Sequence, residues 1–204
     1  MTVAGLRERK KQRTKASIQR EALRLFKKRG YDETTIEDIA AAADISPSTF
    51  FNYFPSKEDV VIYDEYDPQV FAALMADTGR PLGESILDAI EAMAGIFESD
   101  RDAIYERAKL SLEVPELRAR TWEELEKAQR QFAAVMAVRM GRDAEDFEVR
   151  VVALALVGAA FEAALEWVST GGRGSMLNLF KRALEAIDFN PMLEKLDRGG
   201  PRKT

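Results

Sequence analysis

Apolar residues recur every three to four positions along nearly all of the 204-residue chain. No segment alternates with period two, so the pattern confines the chain to helices. Ile18, Ala22, Leu25 and Phe26 share one face of a helix expected over about 11–29, and Gly30 ends it. Ile36, Ile39, Ala40 and Ala43 line a short helix over about 35–42, followed by helices over about 46–54 and 57–76. Beyond Gly79-Arg80-Pro81, helices fit about 82–98, 101–114, 116–140, 145–170 and 175–188. Val114-Pro115, Gly141-Arg142-Asp143 and Gly171-Gly172-Arg173-Gly174 separate them. The expectation is an all-α fold. It has an N-terminal domain with a basic arm over 1–56, a helical domain over 57–190, and a frayed tail over 191–204.

With 46% apolar residues, the chain can build a sizeable core. It has no Cys and no His. That removes disulfides, thiolate nucleophiles, Ser-His-Asp catalysis and His- or Cys-ligated zinc. The carboxylates Glu123, Glu124 and Glu126 read as solvated helix charges, and without His the helical di-metal pattern is missing. No enzyme, cofactor or metal is expected. The longest uncharged apolar run, Val151 to Phe161, falls well short of the roughly 20 residues of a membrane span. No leader pattern is visible, so a cytoplasmic protein without a membrane partner is expected.

The net charge of −5 hides an asymmetry. Residues 1–31 hold 11 Lys or Arg against 2 Glu, whereas the remainder holds 19 basic and 33 acidic residues. A basic end on an acidic body suggests a polyanion partner, although a basic run taken alone is better explained as a solvated charged helix face. The segment 34–54 favours the polyanion. Two short helices joined by Ala43-Asp44-Ile45 form a helix-turn-helix pattern, and Asp tolerates the left-handed backbone such a turn needs. Ser46 is an N-cap, Pro47 fits the first helical position, and Ile45 with Phe50 forms a hydrophobic staple. At about 100° per residue, Phe50 and Phe54 point inward. Ser48 and Asn52 point outward, Thr49 and Phe51 flank them, and Tyr53 lies nearer the core edge. Hydroxyls, an amide and an aromatic are the groups that read base edges in a major groove. A plain surface helix with one exposed Phe is the alternative.

Around this helix lie candidate phosphate contacts. Lys57 sits at a helix N-terminus opened by Ser56, where the dipole and free N–H groups favour an anion. Arg7, Arg9, Lys10, Lys11 and Arg13 precede the first helix or begin it, and suit adjacent phosphates. Thr34 and Thr35 do likewise, with Thr35 acting first as an N-cap.

Gly30-Tyr31, Thr34-Thr35-Ile36, Asp38-Ile39-Ala40, Ile45-Ser46, Thr49 to Phe54 and Ser56-Lys57-Glu58 together resemble the TetR family of one-component repressors. The resemblance covers about residues 11–71. It implies base-facing or nearby positions for Ser46, Pro47, Ser48, Thr49 and Phe51, and phosphate contacts for Tyr53 and Lys57. Three positions depart from the family pattern. Asp44 and Ser48 stand where Gly is common, and Phe51 stands where Tyr is common, which removes a hydroxyl.

The remainder shows no catalytic motif. Val151 to Phe161 is apolar all round and rich in small residues (Ala153, Ala155, Gly158, Ala159, Ala160), so the helix over 145–170 is expected to be buried on most sides. Such a helix suits a close-packed four-helix dimer interface, with a central core position as the alternative. The resemblance implies the dimer, with 145–170 and 175–188 as the pair and Leu154, Gly158, Phe161, Leu165, Leu179 and Leu184 as contacts. Met93, Phe97, Tyr105, Trp122, Phe132, Phe161 and Glu162 are candidates to line an apolar effector pocket. Taken singly, each aromatic is better explained as core. Glu162 and Glu166 fit the point where the helix reaches solvent.

A narrower resemblance rests on Phe54 to Val61, Asp64 to Pro68 and Pro115 to Arg120. These are similar to the actinobacterial branch that includes mycofactocin-system regulators, which is associated with acyl-coenzyme A effectors. That implies a long apolar tunnel with cationic groups such as Arg101, Arg107, Arg118 or Arg120 at its mouth. The sequence thus points to a dimeric, effector-released repressor on a pseudo-palindromic double-stranded DNA operator. The alternative is an effector-independent or structural DNA-binding protein.

Overall fold

A computed structural model describes residues 3–63, 70–71, 74–75 and 80–198. Among these, every regular element is helical. The helices are α1 (Val3–Arg29), α2 (Ile36–Ala42), α3 (Pro47–Phe51), α4 (Lys57–Ile62), α5 (Leu82–Ala92), α6 (Ala94–Ser99), α7 (Arg101–Glu113), α8 (Pro115–Met140), α9 (Phe147–Ser169), α10 (Met176–Ala186) and α11 (Phe189–Arg198).

The chain packs as two units: residues 1–65 with 102–121, and residues 66–101 with 122–204. The first therefore includes α4, most of α7 and the start of α8, which the sequence reading places in the C-terminal domain. Its core joins Ile18, Ala22 and Phe26 of α1 to Ile39, Phe50, Phe54, Val60 and Val61, with Leu117 fully buried among them. Polar groups close the seams. Gln19, buried on α1, donates to the carbonyls of Val60 (2.8 Å) and Tyr63 (2.7 Å), the orphan acceptors at the end of α4. Arg107 donates to the same Tyr63 carbonyl at 2.9 Å, and Lys27 pairs with Glu106 at 2.8 Å.

α1 begins at Val3, not near Lys11. Ala4, Leu6, Arg7, Glu8 and Arg9 are good helix formers with no proline among them, so the helix continues through the expected arm. The single helix expected over 57–76 ends at Ile62, and Tyr63 turns to ψ 123. Residues 64–69, 72–73 and 76–79, including Asp64 to Asp67 and Pro68 of the narrower resemblance, lie outside the described residues.

The second unit buries Leu82, Ile86 and Ile90 of α5 against Ala133 and Met136 of α8, Val149, Val152, Ala153 and Leu156 of α9, and Leu177 and Leu184 of α10. The tail expected after Pro191 is instead helical to Arg198, with Phe189, Leu193 and Leu196 buried. Pro191 lies in the first turn of α11, where backbone N–H groups have no helical partner, so it does not break the helix. Arg142, nearly buried, donates to Asp146 and to the Leu196 carbonyl (2.9 Å), fixing the last turn of α11. Arg101 holds the α9–α10 loop by donating to Gly172 and Gly174.

α9 is only half buried, contrary to the expectation of burial on most sides. By length and composition it could cross a membrane. One face enters the core; on the other, Phe147, Val151 and Leu154 are 68%, 43% and 57% exposed. The apolar run thus serves two surfaces of one helix, one internal and one uncovered in the single chain.

Candidate nucleic-acid interface

Three caps fix the local geometry of the helix-turn-helix. Thr35 caps α2 reciprocally: its hydroxyl oxygen accepts from the Asp38 N–H (3.1 Å), while Asp38 accepts from the Thr35 N–H (3.1 Å) and hydroxyl (2.9 Å). Asp44 takes the left-handed backbone at φ 55 that the turn requires. Ser46 caps α3, accepting from the Thr49 N–H at 3.1 Å, and Pro47 occupies the first helical position. Ser56 caps α4.

α3 ends at Phe51, short of the helix expected over 46–54; Phe50 on it and Phe54 just beyond it are both buried, with ring centroids 6.0 Å apart. Ser46, Pro47, Ser48 and Asn52 are exposed, and Thr49 is half-buried. Phe51 is 54% exposed and packs edge-on against Phe50. The Ser46 hydroxyl lies 2.8 Å from that of Ser48 and 2.9 Å from that of Thr49. α3 therefore presents a small, polar, pre-ordered surface on a rigid apolar base. Tyr53 is half-buried beside it, and Lys10, Lys11 and Arg13 are exposed on α1. The side chain of Arg9 lies outside the described residues.

Two expected phosphate contacts look different in three dimensions. Thr34 is fully buried and its hydroxyl donates to the Gly30 carbonyl at 2.8 Å, so it has no donor left for DNA. Lys57 donates to the carbonyls of Tyr31 (2.9 Å) and Thr34 (3.2 Å) and lies 4.1 Å from the Tyr31 ring centre. Tyr31 in turn donates to Glu58 at 3.2 Å.

Burial first, then the Glu58 carboxylate, pushes the Tyr31 phenol far above its ordinary value, so it remains a donor. Burial opposes ionisation of Glu58, but its own N–H and the Ser56 and Tyr31 hydroxyls prevail and hold the carboxyl below its ordinary value. Hydrogen bonds from the Thr35 backbone and hydroxyl do the same for Asp38, with Arg29 adding to them. Both folded values are lowered, so both groups stabilise this unit above the ordinary carboxyl range, and that contribution is lost as pH falls through the folded values. A circular-dichroism titration into acid is expected to show helix loss once pH falls below the ordinary carboxyl range, with a weaker acid dependence in Asp38→Asn.

Sequence reasoning missed Gln19 and Tyr63, and placed Arg107 at an effector tunnel rather than on the Tyr63 carbonyl. Gln19 was findable: it is a polar residue inside the stripe that also holds Leu23 and Phe26. Tyr63 gathers Gln12 on its hydroxyl (2.6 Å), Lys15 over its ring (4.2 Å) and Phe54 edge-on (5.6 Å), and no local pattern announces that.

The expected dimer and effector residues also separate. Phe147, Val151, Leu154, Gly158, Phe161 and Leu165 follow each other at spacings of four, three, four, three and four along α9, the seam of a coiled coil. Most of them, with Trp122 and Leu125 of α8, line an open apolar groove of about 420 Å³. Leu179 is half-buried. Leu184 is buried in its own unit's core, where it shares a face with Leu177, and offers no surface to a partner. Trp122, 67% exposed, and Phe161 belong to this open groove rather than to an internal pocket, and Glu162 is exposed. Phe97 and Phe132 pack on the second unit's core, Met93 ends α5 half-buried, and Tyr105 falls in the first unit. Of the cations considered for a tunnel mouth, Arg101 and Arg107 are spent on backbone carbonyls and Arg120 lies 3.7 Å from Asp59, while Arg118 is exposed. Glu124 and Glu126 pair with Lys127 and Arg130 along α8, as solvated helix charges do.

The model of the bacterial regulatory proteins of the tetR family matches residues 18–63, and that of the MftR C-terminal domain matches residues 80–189. The HTH-type transcriptional regulator TcmR of Streptomyces glaucescens is 34% identical over 176 residues, spanning 80% of this chain and 76% of that protein. The chain belongs to the TetR family. Another relative within it is the putative mycofactocin biosynthesis transcriptional regulator MftR of Mycobacterium tuberculosis, 27% identical over 72% of this chain and 76% of its own length. Among solved structures, the TetR-family repressor FadR of Thermus thermophilus, in complex with lauroyl-CoA, is 27% identical. It aligns with TM-score 0.55 over 84% of this chain and 91% of its own. As a TetR-family member the protein is a transcriptional regulator that binds DNA, and α2 with α3 is its helix-turn-helix.

Proposed function

We propose that this regulator is a repressor that holds a pseudo-palindromic operator as a homodimer and is released by an effector of the acyl-coenzyme A class. The observation that carries the reading is the outward face of α3: Ser48, Thr49, Phe51 and Asn52 on a helix anchored by buried Phe50 and Phe54. Asn52 and Thr49 offer hydrogen bonds to base edges and Phe51 an apolar contact for a thymine methyl. Tyr53, Lys10, Lys11 and Arg13 supply phosphate contacts, and Thr35 does so beside its capping role. The seam on α9, with the groove it shares with Trp122, is the self-complementary surface a two-fold dimer needs. Such a dimer sets two copies of α3 on half-sites about 34–36 Å apart. The effector class rests on the match to the MftR C-terminal domain and the likeness to a lauroyl-CoA-bound repressor. Mechanistically, the effector binds the conformer whose recognition helices are misspaced and so weakens DNA binding reciprocally. The regulator works in the cytoplasm, with no membrane, metal or cofactor taking part and no turnover.

Fluorescence anisotropy on DNA upstream of its own gene tests this, with titration of protein and then of lauroyl-CoA. Tight, salt-sensitive binding reversed by the ligand is expected. Asn52→Ala and Thr49→Ala are expected to cost about 1–3 kcal/mol on the operator and much less on random duplex. Equal losses on both DNAs would sink the assignment of this face. Binding that lauroyl-CoA leaves untouched would remove the effector class and favour an effector-independent DNA-binding protein.

A further inference from the structure

We infer that the outward face of α1 is a second, sequence-independent duplex-binding surface, on which the regulator holds another DNA segment while α3 holds the operator. The inference rests on the DNA-binding reading above. Every exposed residue of α1 from Arg13 to Arg29 is Arg or Lys: Arg13, Arg20, Arg24, Lys27, Lys28 and Arg29. All but Arg29 fall within an arc of about 100°, opposite the buried Ile18, Ala22 and Phe26. From Arg13 to Lys28 the stripe is about 22 Å long, the rise of about six phosphates along one strand of a duplex. The side chains of Arg20, Arg24 and Lys27 are 69%, 54% and 59% exposed. Carboxylates do not cancel the row. Arg20 and Arg24 share Glu21, at 3.8 and 2.8 Å, and Lys27 pairs with Glu106. Arg13 and Lys28 have no carboxylate partner among the described residues.

Two simpler accounts of the row fall short. Helix-dipole complementarity explains the cations of the last turn, Lys27, Lys28 and Arg29, but its effect does not reach Arg13, Arg20 or Arg24. A face kept only for solubility mixes signs, as the exposed Glu123, Glu126, Lys127 and Arg130 of α8 do. A row of one sign attracts a polyanion. The stripe is also distinct from the operator face. α1 packs on α2 and α4, whereas α3 packs on α2. Ile18, Ala22 and Phe26 join Phe50 and Phe54 in one core. The α1 stripe and the α3 face that carries Ser48 and Asn52 each point away from that core, so a straight duplex seated on α3 leaves Arg20, Arg24 and Lys28 open. DNA fits the row better than the acidic body of a second copy. Carboxylates of that body are interleaved with cations that pair them, as Glu84 is with Arg80 and Glu124 with Lys127. A duplex presents an unbroken run of like charge.

The experiment places the full-length protein on an equivalent amount of donor-labelled operator duplex and then adds an acceptor-labelled random duplex. Energy transfer between the two duplexes reads capture of the second, and anisotropy of the operator alone reads the grip of α3. For the wild type, transfer is expected at 50 mM salt and is expected to be lost by 300 mM, because the contacts are with phosphates. The compared variant carries Arg20→Gln, Arg24→Gln and Lys28→Gln together. All three side chains are exposed and at most one of them makes a close ion pair, so the fold is expected to persist, as a circular-dichroism melt checks. Its operator affinity is expected to stay within about twofold of the wild type. Its capture of the second duplex is expected to weaken by about tenfold or more. Arg20→Lys with Arg24→Lys is expected to retain capture, because a row of phosphates reads charge. No transfer by the wild type at 50 mM salt with the operator bound would overturn the inference, as would transfer unchanged in the triple variant. Operator affinity that falls in step with capture would overturn it too, by placing the stripe in the operator grip. Absence of salt-sensitive operator binding by the wild type would instead overturn the DNA-binding reading beneath it.

Discussion

Leu154→Glu is expected to leave the protein folded, make it monomeric, and weaken operator binding by about 10²–10⁴-fold. Leu154 is 57% exposed at the middle of the α9 seam, so a carboxylate there meets water in the single chain and disturbs no core. In a two-fold dimer the same carboxylate meets its own copy across a dry apolar surface, where a buried, unpaired charge is strongly unfavourable. A monomer holds one half-site and loses the gain from tethering the second. Sedimentation velocity reads the mass, and anisotropy on full and half operators reads the affinities. Half-site affinity is expected to stay near that of the wild type. A Leu154→Glu protein that remains a dimer with full operator affinity would place the subunit contact elsewhere.

Phe50→Ala is expected to cost the first unit about 3–5 kcal/mol. Phe50 is fully buried, and its ring meets both Phe51 and Phe54. α3 has only five residues and cannot persist without the core beneath it. Binding to operator and random DNA is expected to vanish together, in contrast to the selective losses of Asn52→Ala and Thr49→Ala. Differential scanning calorimetry should show an early transition for the first unit, with the heat absorbed by the second largely retained.

Much of this architecture was legible before any coordinates, because the signals were local. Ser46-Pro47 marks the start of α3 through cap chemistry, and the left-handed Asp44 follows from a short turn with no glycine in it. What escaped was non-local. Nothing within a few residues of Lys57 announces carbonyl partners 26 and 23 positions away. Thr34 reads as a polar residue beside a helix start, and only the fold shows that it is sealed under Gly30 and Lys57. Leu184 failed for a related reason: apolar periodicity identifies a face that must be covered, but not whether its own chain or a second copy covers it. α11 was hidden by Pro191, a helix breaker by reputation that is harmless in a first turn.

The three hydroxyls at the head of α3 carry a consequence for how strictly an operator must be conserved. Ser46 has one hydroxyl proton to share between Ser48 and Thr49. If it goes to Thr49, then Ser48 presents a lone pair outward and Thr49 a proton; if it goes to Ser48, the polarity is reversed. The two arrangements interconvert by rotation about three C–O bonds, without moving a heavy atom. Opposite such a pair, a base step and its mirror in donor–acceptor order can be met equally well. Natural binding sites are expected to drift most freely opposite that pair.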